Sequence, residues 1–188
     1  MINQILLCGF SWETAIAILG ALAWLPWIYD KTNTSKLYGR LISNFVNQGH
    51  FNQKSGTMHF LKMSISCMNK NFNVDDISIQ IKYLNNEIWY NGNVFWARTS
   101  NWAMNAEGTV HKKLIIPHEN YLGFVNMFEK DKSDFYYLTF IVEKVQLEEF
   151  EIIRITFRSP KQITESIEFR KENINPDNVL FDDSIWRE

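Results

Sequence analysis

Residues Met58–Met68 read MHFLKMSISCM. The alternation is strict. His59, Leu61, Met63, Ile65 and Cys67 fall on one face, and Phe60, Lys62, Ser64 and Ser66 on the other. A period of two is the signature of a strand with one face in a core. The same period continues outward from this stretch. NKNFNVDD (Asn69–Asp76) reads as a turn. Ile77–Tyr83 alternates again, with Ile77, Ile79, Ile81 and Tyr83 inward and Ser78, Gln80 and Lys82 outward. Leu37–Val46 reads as a strand before it. Ile88–Tyr90 and Val94–Ala97 flank Asn91-Gly92, a pair favoured in two-residue hairpin turns, where both residues need positive φ. Further strands are expected at Val110–Ile116, Tyr136–Val142, Glu151–Arg158 and Ser166–Lys171. Glu119–Phe128 and Val145–Phe150 read as single helical turns or loops.

Eight or nine short strands, with no βαβ alternation and no internal repeat, predict an antiparallel β-sandwich of immunoglobulin-like architecture over residues 37–172. A small β-barrel is the second choice. The tail, residues 173–188, is acidic but keeps Val179, Leu180, Phe181, Ile185 and Trp186. It is expected to dock on the domain or on a partner.

The N-terminus differs in character. Thr14–Ile28 reads TAIAILGALAWLPWI, fifteen uncharged residues, and Ile5–Ile28 adds one ionised side chain, Glu13. As one helix, those 24 residues would extend about 36 Å at roughly 1.5 Å per residue, enough for a bilayer core of about 30 Å. The reading is a transmembrane anchor over residues 1–30 and a linker over 31–36. Trp12, Trp24, Trp27 and Tyr29 bracket the run as interfacial aromatics do. Met1–Gln4 has no Lys or Arg, and no small-x-small site follows the run, which argues against a cleaved signal peptide. Lys31, Lys36 and Arg40 follow it and no basic residue precedes it. The positive-inside rule then predicts a single-pass protein of a bacterial inner membrane with its C-terminal domain in the cytoplasm.

Residues 1–30 hold two acids, Glu13 and Asp30, so the remaining chain carries nineteen basic and nineteen acidic residues. A neutral domain is poorly suited to long nucleic acid, whose binding depends on phosphate neutralisation. Cys8 and Cys67 are far apart in the chain and fit a reducing compartment rather than a disulfide framework.

Three groups of residues carry candidate roles. Gly9, Glu13, Ala17 and Ala21 recur every four residues with Gly20 beside them. Such a face suits helix–helix packing or a polar centre, and it predicts a homo-oligomer formed through the helix. A plainer reading places Glu13 at the membrane surface. Second, WYNGNVFWARTSNW (Trp89–Trp102) offers Trp89, Trp96 and Trp102 for stacking on a planar ligand and Arg98 for an anion. The plainer reading buries these tryptophans under other chain. Third, His50, His59, His111 and His118 have no zinc spacing, and a structural role is expected of them. No metal, cofactor or catalytic constellation is expected, and no enzyme.

One span plus a cytoplasmic β-rich domain is similar in plan to small membrane effectors of bacterial anti-phage signalling. In those, a β domain senses a nucleotide signal and the spans damage the inner membrane. That resemblance implies a membrane protein whose β domain binds a ligand, a small nucleotide or a soluble protein partner, and so controls assembly of the helix. The rival expectation is a passive tether or accessory subunit that docks a soluble partner, and a membrane-anchored enzyme is the third and least favoured.

Overall fold

The computed structural model describes the backbone of residues 12–51, 53–84, 86–95, 101–105, 111–115, 118–143, 149–174 and 186–187, and the side chains of 16–20, 22–29, 33–49, 53–84, 86–95, 119–143 and 149–174. The chain divides into two compact units, Met1–Thr34 and Ser35–Glu188.

The first unit holds helix α1 (Trp12–Thr32), with Pro26 inside it. Among the described residues no helix is long and apolar enough to cross a membrane. The expected transmembrane anchor is corrected accordingly, and with it the single-pass inner-membrane location and the cytoplasmic orientation. The physical reason is length. The uncharged run inside α1 is Thr14–Tyr29, roughly 24 Å of helix at about 1.5 Å per residue, against a bilayer core of about 30 Å. Glu13 precedes that run, and Asp30 and Lys31 end the helix. The longer span depended on Ile5–Ser11, which lie outside the described residues. Lys36 and Arg40, expected to flank a span, are strand residues.

The described residues of the second unit are mostly β. Its strands are β1 (Lys36–Phe51), β2 (Lys54–Met68), β3 (Phe72–Asn73), β4 (Asp76–Tyr83), β5 (Trp89–Val94), β6 (Asn101–Asn105), β7 (His111–Ile115), β8 (Met127–Phe128), β9 (Ser133–Glu143), β10 (Phe150–Arg158), β11 (Thr164–Arg170) and β12 (Trp186–Arg187). Seven of them form one antiparallel sheet in the order β1-β2-β9-β5-β4-β10-β11. β12, β7 and β6 form a three-stranded sheet, and β3 pairs with β8.

The immunoglobulin-like sandwich is therefore corrected. The seven strands curl as a single sheet until β1 meets β11, giving a nearly closed barrel. Closure is tight at Gly39. A Cβ there would lie 2.6 Å from Ile167 Cγ2 and 3.0 Å from the Phe169 ring. A side chain at this position would push the two ends of the sheet apart.

One set of inward side chains fills the interior. It comprises Leu61, Met63, Ile65 and Cys67 of β2, Ile77, Ile79, Ile81 and Tyr83 of β4, Tyr136, Leu138, Phe140 and Val142 of β9, and Ile153, Ile155 and Phe157 of β10, with Ile167 and Phe169 of β11. Each fully buried aliphatic or aromatic side chain contributes on the order of 1.5–3 kcal/mol. Phe72 of β3 and Phe128 of β8 face each other in register and join this core.

In β9 every residue from Tyr136 to Val142 is buried. One face is the barrel interior. On the other, Tyr121 bridges to Tyr137 and donates its hydroxyl proton to Phe95 C=O at 2.6 Å. Burial raises the Tyr121 pKa above the usual tyrosine range. The apolar stretch 119–128 thus forms two 3-10 turns, His118–Asn120 and Leu122–Phe124, and then β8.

A register shift between Leu41 and Ser43 bulges β1. Before it Leu37 and Leu41 face the core. After it Asn44, Val46 and Gln48 pair with Leu61, His59 and Thr57 on the inward face. One inserted residue reverses which parity points inside.

Candidate ligand-binding cleft

The Asn91-Gly92 pair makes no turn. β5 runs straight through it, and the expected hairpin with Trp89 opposite Val94 does not form. β5 instead serves two neighbours in succession. It pairs with β4 from Lys82↔Trp89 to Ile79↔Gly92. It then turns to β9 through Asn93↔Ile141 and Val94↔Phe140, and Phe95 N–H donates to Thr139 C=O at 3.0 Å. Gly92 is the pivot. A Cβ there would lie 2.5 Å from Phe140 Cδ2 and 3.2 Å from Ile79 Cγ2, so glycine lets the Phe140 ring fill the space behind the strand.

Where β5 leaves β4, the wall of the barrel opens into a cleft of about 420 Å³. One bank is Asp76–Ile79 of β4. The other is Asn91–Phe95 of β5, with Lys54 and Ile141 beside it. Successive strand residues point to opposite sides of a sheet. The lining takes both sides, inward Ile77, Ile79 and Val94 as well as outward Ser78, Asn91 and Asn93. The cleft is therefore a seam through the wall with an apolar floor and a polar rim.

The rim is ordered on the β5 side. Lys54 Nζ donates to Asn93 Oδ1 at 2.9 Å and pairs with Glu143 Oε1 at 2.6 Å. Asn93 Nδ2 donates to the same Glu143 oxygen at 3.2 Å. This triangle holds Lys54 at the mouth and neutralises its charge. On the β4 side, Asp76 is exposed and makes no ion pair among the described residues. The backbone there is one-sided too. Asp76, Ile77 and Ser78 pair with Arg158, Phe157 and Thr156 of β10, and the described residues place no strand on their other side.

Behind the cleft lies a buried polar pair. His59 stacks on Phe140, with centroids 4.9 Å apart and planes 9° apart. Its Nε2 is 3.0 Å from the Tyr83 hydroxyl. Burial pulls the His59 pKa down to about 3, so the ring is neutral at physiological pH. Tyr83 meets Tyr90 edge-on, and the Tyr90 hydroxyl accepts from Asn86 Nδ2 at 2.9 Å. Two buried atoms on this inner surface, His59 Nδ1 and Asn44 Oδ1, make no hydrogen bond.

Comparison with known proteins adds no family. No family model matches the chain, and no curated protein matches its sequence.

Only some of the residues singled out on sequence lie among the described ones. Trp89 lies on the outer face of β5, and the Arg154 guanidinium covers its ring at 4.3 Å. Arg154 is held in turn by Glu168, at 2.8 Å from Nε and 2.7 Å from Nη2. That face of Trp89 is taken by the protein's own cation. Trp96 and Arg98 lie outside the described residues. The Trp102 backbone pairs with Leu114 in β6 and β7, and its side chain is outside them. Ala17 and Gly20 are exposed on α1. Glu13 and Ala21 are placed by backbone alone, and Gly9 is outside the described residues. Trp24 and Trp27 are exposed and meet edge to face at 5.8 Å. No group of three or more metal-ligating side chains converges among the described residues.

Sequence reasoning missed Asp76, Ser78 and Asn93 as rim residues. It also missed the contact between His59 and Tyr83, although both sat on faces read correctly from the alternation. A histidine at an inward position of a strand was the available signal.

Proposed function

We propose that the β domain is a binding module whose ligand occupies the seam between β4 and β5. The observation that carries this reading is the cleft itself, an opening in the barrel wall between β4 and β5. Its volume falls in the range of roughly 300–1,000 Å³ usual for ligand sites. It also combines an apolar floor with a few fixed polar groups, the pattern such sites use for affinity and orientation. This keeps the ligand-binding part of the sequence expectation and moves the site from Trp89 to the neighbouring seam. The reading is binding rather than catalysis, in line with the expectation from sequence.

Ser78→Trp tests it. Ser78 is exposed on the bank, so a large side chain there fills the cleft without entering the core. Native mass spectrometry of the purified full-length chain, paired with thermal-shift screening of a metabolite and peptide panel, reads the result. The expected outcome is a retained mass or a stabilising compound with the parent protein, lost in Ser78→Trp at unchanged circular dichroism. Equal binding by both proteins, or none by the parent, would overturn the proposal.

A further inference from the structure

We infer that the occupant of the cleft is an extended peptide segment that adds as a strand to the edge of β4 that the described residues leave unpaired. The inference rests on the cleft reading above and names its ligand class. Three observations converge on it.

The first is the edge. Among the described residues, Asp76–Ser78 pair into the sheet on the β10 side and not on the other. A strand edge offers alternating N–H donors and C=O acceptors, a pattern that another extended backbone matches and a compact small molecule does not. Three residues of strand extend about 10 Å at roughly 3.3 Å each, enough for two or three main-chain hydrogen bonds.

The second is the lining. Side chains of an added strand would alternate between the apolar floor of Ile77, Ile79 and Val94 and the polar rim. Specificity in strand addition comes from such alternate pockets.

The third is charge. Lys54 is already matched by Glu143, whereas the Asp76 carboxylate has no ion pair among the described residues. A peptide with Lys or Arg placed outward beside Asp76 would meet that carboxylate.

Panning a phage-displayed random heptapeptide library on the full chain supplies the probe. Enriched peptides are then synthesised and titrated while backbone amide signals are followed. The expected peptides alternate β-branched residues and carry one Lys or Arg, and they shift the signals of Ile77, Ser78, Gly92 and Asn93. N-methylation of an alternate peptide amide weakens binding at least about fivefold, the effect of one lost hydrogen bond. Asp76→Asn, an exposed change that leaves the fold intact, weakens the lysine peptide at least about threefold and leaves its norleucine version unchanged. Peptides that leave the β4 signals unmoved, or that tolerate N-methylation at every position, would overturn the inference. A small molecule that shifts those signals when no peptide does would overturn the peptide assignment and keep the cleft as a site. Silence from both would overturn both.

Discussion

The Nε2 atom of His59 lies 3.0 Å from the hydroxyl of Tyr83, with both residues fully buried. β2 and β4 are separated by β9 and β5 in the sheet, so this hydrogen bond crosses the barrel interior rather than running along its wall. It is a polar tie between strands that are not neighbours in the sheet.

This tie makes stability depend on pH. Unfolded, an imidazole takes its proton near pH 6.5. In the fold, burial holds His59 neutral down to about pH 3. Between these values the unfolded chain binds the extra proton, so stability is fully present above about pH 6.5 and falls as the pH drops, by as much as roughly 1.4 kcal/mol per unit. Urea unfolding at a series of pH values will show this loss, and His59→Gln will flatten it. An equal slope in His59→Gln would assign the acid sensitivity to carboxylates.

Tyr83→Phe removes the hydroxyl and strands a buried ring nitrogen. The expected destabilisation is about 1–3 kcal/mol, because an unsatisfied buried group costs more than the bond it loses. A denaturant midpoint unchanged from the parent would mean that the His59 nitrogen has another partner.

Gly92→Ala puts a methyl group 2.5 Å from an atom of the Phe140 ring. The ring must turn, at a cost of about 1–3 kcal/mol, and its stack on His59 will be disturbed. Phe140→Leu in the same background should recover part of that loss, since neighbouring changes couple. Strict additivity of the two changes would show that the Gly92 backbone moves instead of the ring.

Arg154→Ala uncovers the outer face of Trp89. The stability change should be about 1 kcal/mol or less, as expected for a partly exposed cation–π contact and ion pair. The Trp89 emission should shift to the red. A larger loss, or emission that does not move, would contradict the capped arrangement.

The strands were legible because alternation reports burial directly. Met58–Met68 and Ile77–Tyr83 lie in the sheet with the inward faces that their alternation implies. Closure was not legible. It depends on how far one curled sheet travels before β1 meets β11, and on a small residue at Gly39, and neither has a local signature. The bulge after Leu41 was hidden for the same reason, since no glycine or proline marks it, yet it alone turns Asn44 inward. Asn91-Gly92 misled because the same dipeptide suits a tight turn and a close backbone approach. Here the demand came from the Phe140 ring, a partner about fifty residues away in sequence. The apolar run of α1 misled because Glu13 on one side and Asp30 and Lys31 on the other leave it shorter than a bilayer core.

The most direct test of the central claim, that the seam between β4 and β5 is the binding site, is an amide chemical-shift map of the full chain with and without a ligand found by the screens above. The account predicts changes confined to Asp76–Ile79 and Asn91–Phe95, absent in Ser78→Trp. Changes centred on Trp89 and Arg154, or on the opposite wall of the barrel, would contradict it.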